Sequence, residues 1–210
     1  EAMNRDQFIK TLSRRVLDIS FRGKLSHISS SLTALPIIYD IYQEKGDSEP
    51  FILSCGHAFL ALAVVLEYQY GTDAEDLIAR HGVHPSRNAA DKVWYTTGSL
   101  GCGVTAACGF ALADRSRQVY CLVSDGECAE PDVFGALNLA HDNHLDNLHI
   151  HVNVNGYSAY KIIDKERLAA RLKVFWDKVI IHETSNDSLP FLGGIEGHYK
   201  VLTAEEYASL

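Results

Sequence analysis

The sequence has no excess of basic residues, no paired-cysteine motif and no apolar run of bilayer length, and each absence removes a class of function. The formal charge is -8 at pH 7. A surface that condenses on nucleic acid or anionic lipid needs a basic face, so a small-molecule partner is expected, with no nucleic acid and no membrane. Five cysteines (Cys55, Cys102, Cys108, Cys121 and Cys128) form no CxxC pair and are odd in number, the usage of a reduced, cytoplasmic protein. Crossing a bilayer takes about 20 consecutive apolar residues, which no stretch supplies. The amino terminus, Glu1-Ala2-Met3-Asn4-Arg5, has no signal-peptide core, and structure is expected to start at Asn4. With no internal repeat, low-complexity tract or linker, one domain over 1–210 is expected, its tail from about 183 to 210 the least readable part.

What is present is a regular alternation of helical and strand-length patterns. Phe8, Ile9, Leu12, Val16, Leu17 and Ile19 recur at helical spacing over 5–20. A polar loop, Ser26 to Ser31, should precede a helix over 32–43, with Pro36 tolerable only near its first turn. Phe51 to Ser54 reads as a strand, and Gly56 opens a nearly all-apolar helix over 58–70 that must be buried on most faces. Asp73 is an N-cap candidate for a short helix, and 81–94 reads as an ordered loop. A small-residue helix over 104–113, a strand over 119–123, a helix over 131–145, a strand over 148–154, a helix over 164–173 and a strand over 179–182 follow. This order predicts an α/β fold: a parallel sheet with helices on both faces.

Asp125 directly follows one predicted strand and Asn155 the next, thirty residues later. That interval accommodates one βαβ crossover, which sets the strands side by side and brings a carboxylate and an amide oxygen together at the carboxyl edge of the sheet. A hard cation with about six oxygen ligands would find two protein side chains there and keep room for phosphate oxygens. The same residues are equally compatible with a cap on the helix at Pro131 and an ordinary Asn155-Gly156 turn. His141, His144, His149 and His151 do not read as a zinc set, because they fall on a helix surface and one strand face without a completing Cys or carboxylate.

Four motifs in order carry a resemblance. Ser54-Cys55-Gly56-His57, Thr96-Thr97-Gly98-Ser99-Leu100-Gly101, Ser124-Asp125-Gly126 with Asn155, and His27 before Leu32-Thr33-Ala34-Leu35-Pro36 resemble the diphosphate-binding, amino-terminal half of thiamine-diphosphate enzymes of the transketolase family, across most of residues 5–160. The resemblance implies a thiamine-diphosphate-binding fold, with Asp125, the Asn155 side chain and the Tyr157 carbonyl on Mg2+ (or Ca2+ or Mn2+). Gly126 and His57 would touch the diphosphate, and Gly98 and Leu100 the cofactor rings, with Ser99 and Glu127 also in the cofactor-binding set. His27, His57 and His84 would line the substrate channel as catalytic residues, donating hydrogen bonds to sugar oxygens and shuttling protons.

The departures are as specific as the matches. Ser124 stands where the family has glycine, Asn153 where it has aspartate, Pro131 where glycine is usual, and Gly135 replaces a glutamate of the network that couples paired active sites. The family also needs a glutamate from a pyrimidine-binding domain, which 210 residues do not accommodate. The resemblance therefore implies a subunit of a split transketolase-like enzyme, inactive alone, that pairs with a separate pyrimidine-binding, transketolase C-terminal-like subunit as an α2β2 heterotetramer and moves a two-carbon ketol unit between sugar phosphates or activated sugars. Two other readings stay open: 2-oxo acid decarboxylation or a deoxyxylulose-synthase-like condensation, for which Arg87 is the one obvious anchor, and a degenerate, non-catalytic structural subunit. Gly197-His198-Tyr199 faintly resembles the family's domain end, and His198 is assigned no role.

Overall fold

The computed structural model describes residues 4–210; the amino-terminal Glu1, Ala2 and Met3, placed ahead of the expected start of structure, lie outside the described residues. Helix α1 (Arg5–Gly23) begins at a capping box in which the Asn4 side chain accepts from Gln7 N–H and the Gln7 side chain accepts from Asn4 N–H, and it ends where Lys24 turns left-handed. Its apolar stripe buries Leu12, Val16, Leu17 and Ile19. Arg15 makes a two-bond ion pair with Glu67, at 2.8 Å for each bond, and Glu67 also accepts from Ala74 N–H.

Helix α2 (Ile28–Glu44) departs from expectation. The Ser26–Ser31 stretch is no loop: Ser29, Ser30 and Ser31 form the first turn of α2, and Pro36 lies in its interior. Polar composition misleads here because Ser30, Ser31 and Thr33 are buried, and Thr33 Oγ1 donates back to the Ser29 and Ser30 carbonyls within the helix.

Strand β1 (Phe51–Leu53) runs through a 3-10 turn into α3 (Phe59–Tyr70), in which every side chain from Phe59 to Leu66 is buried. Helix α4 (Ala74–His81) is capped by Asp73, which accepts from the Glu75 and Asp76 amides. Helix α5 (Cys102–Ala113), β2 (Val119–Ser124), α6 (Pro131–Asp142), β3 (Leu148–Val154), α7 (Lys165–Phe175) and β4 (Ile180–Glu183) then alternate as expected. Helix α6 stops short of the expected Leu145, because Leu145 turns inward to the core after a left-handed His144. The tail, silent in the sequence, forms two 3-10 turns and α8 (Ala204–Ala208), which docks on α1 through Phe21 stacked on Tyr207 at 4.1 Å.

The sheet is parallel throughout, in the order β1-β2-β3-β4. Alternation along β2 separates two cores. Tyr120 and Leu122 join the layer of α1–α4, whereas Val119, Cys121 and Val123 join that of α5–α7. All five cysteines are free thiols. No helix among the described residues is long and apolar enough to cross a membrane.

Candidate functional site

The carboxyl ends of β2 and β3 lie side by side, with Ser124 in register with Asn153. Asp125 follows β2 and Asn155 follows β3, so the crossover geometry expected from their spacing is the one observed. Asp125 Oδ1 accepts from Gly126 N–H (2.9 Å) and Oδ2 from Gly156 N–H (2.7 Å). The carboxylate is 2% exposed and has no cationic partner within ion-pair distance among the described residues. Burial, only partly offset by the Gly156 and Gly126 amides, pushes its pKa up to about 6. Asp125 thus caps the 3-10 turn Gly126–Ala129, and the helix at Pro131 has Glu130 as its N-cap, without a side-chain bond.

Asn155 Oδ1 accepts from Tyr157 N–H (2.9 Å), and Gly156 holds a left-handed φ of 93°. The hairpin that follows pairs Tyr157 with Ile162 through two bonds that use the Gly156 and Lys161 carbonyls and leave the Tyr157 carbonyl outside them. A buried carboxylate without a counter-cation, a neighbouring amide oxygen and a backbone carbonyl make a hard oxygen donor set, which fits a divalent cation such as Mg2+.

Glu127 sits beneath this turn, fully buried. Its Oε1 accepts from Ser54 Oγ–H (2.7 Å) and Gly101 N–H (3.0 Å), and its Oε2 from Ser124 N–H (2.8 Å) and Ser124 Oγ–H (3.2 Å). One carboxylate therefore ties together the ends of β1 and β2 and the start of α5. Burial raises its pKa against the opposing pull of these donors. Ser124, where the family has glycine, supplies two of them. Asn153 is likewise absorbed structurally: its amide donates to Thr33 Oγ1 (2.9 Å) and its carbonyl accepts from Thr184 Oγ1 (2.6 Å), pinning β3 to α2 and to the segment after β4.

Above these strand ends opens a cavity of about 350 Å3. Of the residues singled out in the sequence, it gathers His27, His57, His84, Gly98, Leu100, Asp125, Gly126, Glu127, Asn155 and Tyr157. Ser99 and Arg87 do not line it. Each arrives for a local reason. His27 adopts a left-handed φ of 63° as it enters α2, with its Nδ1 2.8 Å from Ser26 Oγ. His57 comes from the turn after β1. His84 is drawn to Gly98 because Thr97 N–H donates to the Pro85 carbonyl (3.0 Å).

Sequence reasoning missed two side chains that complete this wall. His198 and Tyr199 arrive from the tail, and the His27 ring lies 4.8 Å from His198, 5.7 Å from His57 and 6.0 Å from His84, centre to centre. The signal was Gly197: a Cβ there would come within 2.1 Å of the Leu192 carbonyl oxygen, so the tail closes only around glycine. Desolvation first, and then the neighbouring histidines, lower the His57 pKa to about 3 and that of His27 to about 4. Both imidazoles are neutral at pH 7, each offering one N–H and one acceptor nitrogen. Elsewhere, His149 is 2.7 Å from Gln118 Oε1, and His151 is 2.9 Å from His182.

Comparisons with known proteins fit this geometry. The family described as thiamine pyrophosphate enzyme, C-terminal TPP binding domain, matches residues 74–174. That description is of a carboxyl-terminal domain, in contrast to the amino-terminal half that the motifs resemble. Mouse transketolase-like protein 2 is 35% identical over 125 residues, 53% of this chain and 20% of that protein. Human transketolase is 38% identical over 120 residues, 51% of this chain and 19% of its own length. The chain thus spans about a fifth of these curated relatives. The structure of transketolase from Campylobacter jejuni superposes with a TM-score of 0.74 at 20% identity, covering 95% of this chain and 40% of that one, a likeness of fold. About half of this chain is thus similar in sequence to transketolases and to a thiamine pyrophosphate enzyme domain, and its fold is like that of a solved transketolase.

Proposed function

We propose that this chain is the thiamine-diphosphate- and magnesium-binding subunit of a split transketolase-like enzyme that transfers a two-carbon ketol unit between sugar phosphates or related activated sugars. The observation that carries this reading is the meeting of Asp125 and Asn155 at paired strand ends, in a cavity also lined by His27, His57, His84 and His198. Asp125, the Asn155 amide oxygen and the Tyr157 carbonyl would hold the cation, for which Ca2+ or Mn2+ is an alternative. Gly126 and His57 would face the diphosphate, and Gly98 and Leu100 the rings. Thiamine diphosphate, when bound, supplies the carbon acid and electron sink for carbon–carbon cleavage.

The chain's own contribution is positional and protonic. Glu127 takes no direct part, since its oxygens are occupied by Ser54, Gly101 and Ser124; it sets the geometry of the turn that carries Asp125. Neutral histidines suit sugar hydroxyls, which both donate and accept hydrogen bonds, and they exchange protons without first losing a charge. Among the described residues no arginine or lysine lines the cavity, so in this reading the cationic anchor for a sugar phosphate comes from the completing subunit.

A separate pyrimidine-binding, transketolase C-terminal-like subunit completes the site in this reading, most simply in an α2β2 assembly. Two features support it. Glu127, the one glutamate lining the cavity among the described residues, has no free oxygen for a cofactor nitrogen. The cavity's apolar rim, Leu100, Tyr157 and Tyr160, is 41%, 41% and 65% exposed. The test is to mix the purified chain with a candidate pyrimidine-binding subunit, thiamine diphosphate, Mg2+ and a panel of ketose donors. Ketol transfer only when both chains are present is expected; no transfer across the panel contradicts the proposal.

A further inference from the structure

A second cavity, of about 380 Å3, shares the Asp125-Gly126 turn with the first but none of its histidines. Its character is the opposite. Lys161 from the hairpin after β3 and Arg167 and Arg171 from α7 line it, and the two arginines stand one helical turn apart, on the same face.

These three cations are gathered on one cavity, whereas other cations without an ion pair among the described residues, such as Arg87 and Arg115, line neither of the two cavities. Arg5, Arg14, Arg15, Arg22 and Arg80 each hold a carboxylate, as expected for a protein of net charge -8. Lys161, Arg167 and Arg171 form no ion pair among the described residues. Arg171 is nevertheless held in place, its guanidinium 4.4 Å from the centre of the Phe134 ring, so less side-chain freedom is lost when it binds a ligand. Ile162, Ile163 and Leu168 supply the apolar part of its lining. Two carboxylates also line the cavity, and both are engaged by backbone amides: Asp125 by Gly126 and Gly156, and Asp164 by Arg167 N–H, which it caps at 3.0 Å.

We propose that this cavity binds a phosphate-bearing small molecule through Arg167, Arg171 and Lys161, at a place separate from the histidine-lined cavity. Two guanidinium forks and an ammonium match the several charged oxygens of a phosphate, whereas a single carboxylate would leave one cation unmatched. The volume lies in the range of small-molecule sites. This inference does not depend on the chemistry proposed above.

Calorimetric titration of the whole chain with inorganic pyrophosphate, in metal-free buffer of low ionic strength, tests it. One equivalent should bind, and Arg167→Ala with Arg171→Ala should weaken binding by about tenfold or more. The same double variant should bind thiamine diphosphate with Mg2+ as the parent does, and that cofactor should not displace the pyrophosphate. Both arginines are solvent-exposed, so the fold should persist; Arg167→Gln alone, with a smaller loss, serves if it does not. Three results would overturn the proposal: no pyrophosphate binding by the parent chain, unchanged affinity in the variants, or displacement by thiamine diphosphate, which would place the anion at the cofactor site. Absence of thiamine diphosphate binding with pyrophosphate binding retained would count against the function proposed above and leave this site standing.

Discussion

The Asp125 carboxylate, at the end of β2, accepts the Gly156 amide, just beyond the end of β3, across 2.7 Å. The Asp125 amide in turn donates to the Asn153 carbonyl (3.0 Å), so main chain and side chain lock the two strand ends in one register. The proposed oxygen ligands, thirty residues apart in sequence, are thus set in place by the protein's own hydrogen bonds.

The fully buried Glu127 should be the largest single contributor to that rigidity. Glu127→Ala leaves the Ser54, Gly101 and Ser124 donors without an acceptor, and an unsatisfied buried donor costs about 1–3 kcal/mol. A loss of about 3 kcal/mol or more in urea unfolding is expected, with Glu127→Gln losing less because one oxygen remains. Equal, small losses for both would show that the network contributes little.

Helix α5 offers a paired test of close approach. A Cβ at Gly103 would lie 2.6 Å from Ser54 Cα, whereas one at Gly109 meets nothing within 4 Å. Gly103→Ala should destabilise by about 1–3 kcal/mol through overpacking. Gly109→Ala should stabilise by up to about 1 kcal/mol from helix propensity. Thermal unfolding of the two variants against the parent checks both signs.

Much of this was legible in the sequence, and what was missed has physical causes. The alternation of strand-length and helical segments and the strand-to-strand spacing led to the parallel sheet and put Asp125 beside Asn155, because a βαβ crossover permits few alternatives. Asp73 announced its helix by the chemistry of its cap. The start of α2 was hidden, because three serines read as a loop unless their burial is known, and burial there comes from contacts distant in sequence: Asn186 reaches Ser29, and Asn153 reaches Thr33. His198 was hidden for the same reason, since only the packing of α8 on α1 and the tight Gly197–Leu192 approach carry the tail to the cavity. Nothing in the sequence announces that the Glu127 oxygens accept from Ser54, Gly101 and Ser124, which only the side-chain geometry shows.

The buried histidines set a pH dependence of stability. The His57 pKa is lowered to about 3 from an ordinary value of 6.5, so below pH 6.5 the unfolded chain binds the proton more readily. The stability His57 allows is intact above pH 6.5, declines as pH falls through the interval between 6.5 and 3, and stops declining below. The slope for a fully buried group is at most about 1.4 kcal/mol per pH unit. Between pH 6.5 and 5 the parent should therefore lose about 1–2 kcal/mol more than His57→Gln, read from urea midpoints. A His57→Gln variant with the parent's slope would mean that the ring titrates freely.

The most direct test of the central claim is calorimetric titration of thiamine diphosphate in the presence of Mg2+ into the parent chain and into Asp125→Ala, with circular dichroism to confirm the fold of both. Saturable, metal-dependent binding by the parent, abolished in Asp125→Ala with the fold retained, is the predicted result, because Asp125 is the only anionic ligand in the proposed donor set. Binding that persists in Asp125→Ala, or a folded parent chain that binds no thiamine diphosphate, would contradict it.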